Sequence, residues 1–170
     1  MLILGLDPGS LHTGYGLLLK RGSTLTTVEA GRFSCPRDQA LPARLAHLAA
    51  ALGELLVRHR PDVAVVESPF HGMNVHSLIV LAQARGALLA AVAGHGVEVR
   101  EYSPAEVKSA VTGNGRADKG QVARMVRLLL ALDDKKILAA DATDALALAL
   151  CCAQRLRMDR LTAAAAVPRR

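Results

Sequence analysis

Hydrophobic positions along the chain follow two rhythms. Leu2 to Leu6 is a near-continuous apolar run stopped by Asp7-Pro8-Gly9, and a second run resumes after Gly14 and Gly16 and reaches Leu19. That pattern predicts two strands joined by a glycine-bearing loop, Thr13 to Gly16 forming the tight return. Thr24 to Ser34 predicts a third strand, closing a meander through the Lys20-Arg21-Gly22-Ser23 turn. The period then changes. Leu41, Leu45, Leu48, Leu52, Leu55 and Leu56 mark an amphipathic helix from about Pro42 to His59, stopped by Pro61. Val63 to Glu67, bounded by Pro61 and Pro69, suits a short central strand covered on both faces.

A long helix from about Asn74 to Ala93 follows, with Asn74 as N-cap and Gly94 as stop. It is apolar around most of its circumference, so it is either deep core or also a subunit interface, and the small chain favours the interface. Val97 to Tyr102 predicts a strand. Ser103-Pro104-Ala105-Glu106 is a capping box that opens a helix ending near Gly113. Further helices are expected over Asp118 to Leu132 and Ala140 to Met158, and Leu161 to Arg170 reads as a frayed tail. The fold class is α/β: a mixed five-stranded sheet, antiparallel meander plus parallel strands, with helices on both faces. Residues 1–158 form one domain and 159–170 a flexible basic C-terminal tail.

Composition narrows the picture. At 170 residues the chain is long enough for one self-sufficient core. That core must be aliphatic, because 51% of residues are hydrophobic while Phe33, Phe70, Tyr15 and Tyr102 are the only aromatics. A net charge of +6 favours a polyanionic partner, although several of the arginines lie near the C-terminus and suit a solvated tail equally well. Cys35 and the adjacent Cys151 and Cys152 offer neither a disulfide framework nor spaced metal ligands, which suits a reducing cytoplasm. No secretory signal is expected, and the apolar stretches at Ala87 to Ala93 and Ala145 to Ala153 are too short to cross a bilayer. The expectation is a cytoplasmic protein with no membrane partner.

The chemistry concentrates in carboxylates. Asp7 ends the first strand, where alone it could simply open a turn. Glu67 ends another strand, and it shares a sheet edge with Asp7 if the two strands are parallel neighbours. Asp141 and Asp144, three residues apart, lie on one face of a helix in its first turn, where capping and the helix dipole could also explain them. Small residues around them, Ala142, Thr143, Ala145, Ala147 and Ala149, allow close packing on a sheet. Four acids brought together would repel unless cations neutralised them, and hard oxygen ligands suit Mg²⁺ or Mn²⁺. Two such ions can drive phosphodiester hydrolysis, which points to a nuclease.

The stretches Asp7-Pro8-Gly9-Ser10 with Thr13-Gly14-Tyr15-Gly16, Glu67 with Phe70 and Asn74, and Gln83-Ala84-Arg85-Gly86 occur in that order. They are followed by Gly113-Asn114-Gly115 with Ala117, Lys119, Gln121 and Val122, and by Asp141-Ala142-Thr143-Asp144-Ala145-Leu146-Ala147. Together, over residues 1 to about 158, they resemble the RuvC-type Holliday-junction resolvases, crossover-junction endonucleases of the RNase H-like fold. The resemblance implies that Asp7, Glu67, Asp141 and Asp144 are the catalytic residues and hold the divalent ions, Mg²⁺ or Mn²⁺, two per active site. It implies a homodimer that nicks symmetry-related strands of a four-way DNA junction, leaving 5′-phosphate and 3′-hydroxyl ends, in recombination and repair. The RuvA and RuvB branch-migration proteins are the implied partners.

Phe70 is expected to meet an unpaired base near the branch point. Lys108, Arg116 and Lys119 are expected to hold phosphates. For His12 a solvated loop position is the plainer reading, and for Arg85 a structural or interface role. Three rivals remain. Two-lobed actin-like phosphotransferases need a longer chain. A related nuclease that trims ribosomal RNA precursors shares the Asp-Pro-Gly opening but not the middle motifs. A non-catalytic junction-binding protein would have no need of all four acids.

Overall fold

A computed structural model of the protein describes residues 1–68, 74–133 and 138–165, with side chains described as far as Leu156. Three antiparallel strands lead: β1 (Leu2–Asp7), β2 (His12–Arg21) and β3 (Thr24–Ser34). Then come α1 (Leu41–His59), β4 (Val63–Glu67), α2 (Val75–Gly94), β5 (Glu98–Tyr102), α3 (Pro104–Thr112), α4 (Lys119–Leu129) and α5 (Ala140–Ala165). The five strands run in the order β3-β2-β1-β4-β5. β1 pairs antiparallel with β2 and parallel with β4, and β4 pairs parallel with β5. This is the mixed sheet expected from the chain.

Strand alternation divides the core in two. Ile3, Val63, Val65 and Leu18 face α3, α4 and α5, whereas Leu4, Leu6, Leu17, Ala64 and Val66 face α1 and α2. On the second side Leu48, Leu52 and Leu55 of α1 are essentially fully buried. Each such leucine contributes about 1.5–3 kcal/mol of transfer free energy. Helices therefore cover both faces, as a parallel pair at the centre of a sheet requires.

Local chemistry sets the helix ends. Asn74 accepts a hydrogen bond from the Ser77 amide at 2.8 Å, and Ser103 with Glu106 and Asp118 with Gln121 form reciprocal capping boxes. Gly113, at φ 76°, closes α3 in the left-handed conformation that glycine adopts without strain.

Four expectations need correction. β2 begins at His12, so Gly14 and Gly16 lie inside the strand, paired with Asp7 and Gly5, and not in a loop. His12 is accordingly a strand residue whose Nδ1 lies 3.1 Å from the Ser34 hydroxyl, not a solvated loop histidine. α5 runs on to Ala165, well past the end expected near Met158, because a run of small helix formers lets it propagate. Finally α2, at 20 residues with mean hydropathy 1.6, is long and apolar enough to cross a membrane by length and composition alone. It packs on the α1 side of the sheet through Ala84, Leu88 and Val92 and leaves Val75 and Ile79 exposed.

Candidate active site

Asp7 and Glu67 reach the same lip for two reasons that can be read from the strands. The parallel register puts Leu6 beside Val66, so the next residue on each strand is a carboxylate at the same height. Alternation then decides the face: Ile3, Gly5 and Asp7, like Val63, Val65 and Glu67, point to the α5 side. β5 reinforces the edge, pairing Tyr102 with Glu67 and accepting the Ser68 amide on the Tyr102 carbonyl at 2.8 Å. Arg85 of α2 donates from Nε to the Glu67 carbonyl at 3.3 Å, and its Nη2 lies 2.6 Å from Glu101. Its head is thus tied into the edge of the sheet, a structural role.

The other two carboxylates arrive because the sheet is flat where α5 crosses it. A Cβ built on Gly5 would lie 1.9 Å from the Ala145 carbonyl oxygen, one on Gly14 1.9 Å from the Asp141 carbonyl oxygen, and one on Gly16 2.7 Å from the Leu146 side chain. Any side chain there would push α5 away. Three glycines therefore form a pad that lets the helix backbone press on β1 and β2, delivering Asp141 and Asp144 beside Asp7. The glycines read from the sequence as turn formers serve close packing instead. Thr13, fully buried, holds the intervening loop: its hydroxyl donates to the Gly9 carbonyl at 2.9 Å.

Electrostatics register the convergence. The Asp7 carboxyl is pushed up to about 7, first by burial and then by the negative charges of Asp144, Glu67 and Asp141, with Lys119 opposing. Glu67 is raised too, by burial and by Asp144, against Lys119 and Lys108. A cleft of about 440 Å³ opens here, lined by Asp7, Glu67, Asp144, Lys108 and Lys119 over an apolar floor that includes Val107 and Val122. Lys119 Nζ stands 3.5 Å from Asp144, and Arg32 of β3 stands 3.5 Å from Asp141.

The donor set suits a hard divalent cation, since it is all carboxylate oxygen and one member is pushed up to about 7 by burial and then by like charges that a cation would offset. As the side chains stand, no three acids or imidazoles among the described residues are grouped closely enough to hold an ion. Two of the four acids are occupied by Arg32 and Lys119 instead.

Of the expected nucleic-acid ligands, Lys108 and Lys119 line the cleft. Arg116 is exposed in the turn between α3 and α4, its amide bonded to Asn114 Oδ1 at 3.0 Å, and does not line it. Phe70 lies outside the described residues. Sequence reasoning missed Arg32 and Thr13. No local signal marks Arg32; it meets Asp141 because register places it opposite Gly14, where no side chain intervenes.

Known proteins share this arrangement of chain. The family model for Crossover junction endodeoxyribonuclease RuvC matches residues 3–152. The RuvC of Geobacter sp. (strain M21) is 42% identical over 161 residues, covering 95% of this chain and 97% of its own. The RuvC of Alkalilimnicola ehrlichii is 50% identical over 149 residues, 88% of each chain. Among solved structures, Thermus thermophilus RuvC in complex with Holliday junction substrate matches with a TM-score of 0.87 at 32% identity, over 94% of this chain and 96% of that one. With the family model spanning most of the sequence and relatives matched nearly end to end on an RNase H-like sheet, the chain belongs to the RuvC family of crossover junction endodeoxyribonucleases.

Proposed function

We propose that this protein is a structure-selective endonuclease that resolves four-way DNA junctions by paired symmetric nicks, with Asp7, Glu67, Asp141 and Asp144 as its catalytic and metal-binding residues. The observation that carries the proposal is the raised Asp7 carboxyl, whose causes include the charge of each of the other three acids. Arg32 and Lys119 offset only Asp141 and Asp144, so Asp7 and Glu67, both raised, have no ion pair of their own among the described residues, and a divalent cation would supply the missing positive charge.

When bound, two Mg²⁺ or Mn²⁺ ions supply activation of a water and neutralisation of the charge that develops on the leaving oxygen. The chain's own residues do the rest. Asp7 and Glu67, fixed by strand register, and Asp144 and Asp141, fixed by α5, would hold the ions. Lys119 and Arg32, now paired with Asp144 and Asp141, would then be free to meet phosphate. Lys108 and Lys119 position the scissile phosphodiester in the cleft, while Arg116 and Phe70 extend the contact along the branched substrate. The water oxygen would bond to phosphorus as the P–O3′ bond breaks, the water losing a proton and O3′ taking one up from solvent, which leaves a 5′-phosphate and a 3′-hydroxyl.

Two cuts at symmetric positions call for two copies of the site. The exposed apolar residues of α2, Val75 at 73% and Ile79 at 52%, support a homodimer formed on that helix. Work on recombination and repair intermediates in the cytoplasm, alongside RuvA and RuvB, accords with the family. The basic segment 159–170, which starts as the last turns of α5, is proposed to lie outside the nuclease core.

The test is cleavage of a four-way DNA junction, a linear duplex and a structured RNA by the purified protein in Mg²⁺, in Mn²⁺ and in EDTA. Paired nicks confined to the DNA junction and lost in EDTA are expected. Preferential cutting of the RNA, or junction binding without cutting in either metal, would overturn the proposal. Sedimentation at micromolar concentration should give a dimer; a monomer that still makes paired symmetric cuts would remove the argument from α2.

A further inference from the structure

The β1–β2 loop separates two cavities. On one side Asp7 looks into the acidic cleft. On the other, Gly9 and Ser10 help to line a second cavity of about 370 Å³, completed by Arg44 of α1 and by His76, Ser77 and Val80 of α2. Its chemistry is opposite to the cleft's. Arg44 and His76 are its ionisable groups, no carboxylate lines it, and Ser10 and Ser77 add hydroxyls.

The most telling atom is Arg44 Nε, which is buried and has no hydrogen-bond partner. Arg44's backbone is fully engaged, its amide on the Ala40 carbonyl at 3.2 Å and its carbonyl accepting from the Cys35 thiol at 3.6 Å. Its guanidinium forms no ion pair among the described residues. Nε belongs to a side chain that is otherwise partly exposed, and a buried donor left without an acceptor is costly, so an acceptor entering the adjoining cavity would relieve it. The start of α2 adds to the field: Asn74 caps the Ser77 amide, and the positive end of this 20-residue helix faces the same side.

Ser10 follows Asp7 by three residues, so the two Cα atoms are at most about 11 Å apart. That is about three nucleotide rises of 3.4 Å along a DNA strand. We infer that this cavity binds one backbone phosphate of the DNA strand whose scissile phosphate lies at Asp7, with the Arg44 guanidinium as the principal ligand and His76, Ser10 and Ser77 as supporting donors; the inference rests on the nuclease reading above. An anion anchored there fixes the strand's register in the cleft, because the short four-residue loop Pro8 to Leu11 then lies between two grips on one backbone. A guanidinium suits this task, since its planar fork matches phosphate oxygens.

The test measures junction affinity in EDTA, where no cutting occurs. Arg44→Met should bind roughly tenfold more weakly and lower the slope of log affinity against log salt by about one. Junctions carrying a single neutral methylphosphonate at successive positions flanking the scissile phosphate locate the contact. At one position the modification should weaken the unaltered protein by the same factor, and Arg44→Met should lose nothing more there. His76 is exposed on the first turn of α2, so His76→Gln supplies a second variant that leaves packing intact, with a smaller loss coupled to the same position. Unchanged affinity and salt slope in both variants, or losses that add fully at every methylphosphonate position, overturn the site. Absence of junction cutting by the unaltered protein in Mg²⁺ overturns the nuclease reading instead, so the two failures are separable.

Discussion

Asp7 and Glu29 are carboxylates on one sheet, two strands apart, and their surroundings are opposed. Glu29 accepts from the Tyr15 hydroxyl at 2.9 Å and lies 2.8 Å from His59 Nε2, with Arg58 at 3.6 Å. Its partial burial would raise its carboxyl, but the Tyr15 and His59 hydrogen bonds and the Arg58 charge outweigh that and hold it below the usual range. Tyr15, stacked on Phe33 with ring centroids 4.6 Å apart, is itself held in place. Asp7 has the reverse: burial and three acids push it up to about 7, and Lys119 alone opposes. Glu29 finds its partners within the chain and ties the end of α1 to the meander. Asp7 finds no such set of partners, its one opposing charge being Lys119, as the proposed metal site requires. A satisfied acid marks structure, and an unsatisfied one of this kind marks chemistry.

The sharpest way to break the comparison is to neutralise each acid. Asp7→Asn should lower junction cutting in Mg²⁺ by about 10³-fold or more, equivalent to roughly 4 kcal/mol of transition-state stabilisation, whereas Glu29→Gln should leave the rate within about twofold. Equal rates for Asp7→Asn and the parent would end the metal-site reading.

Packing is the next lever. Gly14→Ala places a methyl group against the Asp141 backbone, a clash expected to destabilise the fold by about 3 kcal/mol. Displacement of α5 should also return the Asp7 carboxyl toward its ordinary value while Glu29 stays low. NMR titration of the two carboxyls checks this, and an unmoved Asp7 would show that α5 does not set its environment.

In EDTA, pH should separate the two acids by sign. Asp7 titrates near 7 when folded and near 3.8 when unfolded, so between those values the native state holds a proton that the unfolded chain has lost. Stability contributed by that proton is complete at low pH and declines by roughly 1.4 kcal/mol per unit as pH rises toward 7. Urea unfolding of the parent and of Asp7→Asn across pH 5 to 7 should show a steeper decline in the parent than in the variant, which keeps the raised Glu67; parallel curves would refute it. Glu29 works the other way, contributing above its unfolded value and losing that contribution as pH falls through its depressed folded one.

The smallest effect is Glu29→Gln on stability at neutral pH. About 1 kcal/mol should be lost with the Tyr15 and His59 hydrogen bonds, the exposed Arg58 pair adding little. A thermal midpoint equal to the parent's would mean that solvent replaces those bonds without loss.

Much of this was legible in the chain. β3 and β4 have the boundaries that periodicity predicts, both capping boxes formed where Ser103 and Asp118 announced them, and Asn74 caps α2. The four acids could be singled out one by one. Their meeting could not be derived from any of them alone, because Asp7 suited a turn and Asp141 a helix start equally well. The roles of Gly14 and Gly16 were misread, since glycine in a sequence signals freedom of turning and closeness of approach with the same letter, and Gly5 drew no reading. Arg32 was invisible.

Apolar period, proline punctuation and cap residues act over a few neighbours, and these the sequence by itself determined: the strands, the helices, the alternation that turns Asp7 and Glu67 to one face, and the supply of acidic and basic groups. Packing between the elements settled the rest: that β1 lies beside β4, that α5 rests on bare glycine backbone, and that Arg44 Nε is buried with no hydrogen-bond partner among the described residues. Those outcomes depend on distances between elements far apart in the chain, and the repulsion that raises Asp7 exists only when helix and sheet come within contact of each other.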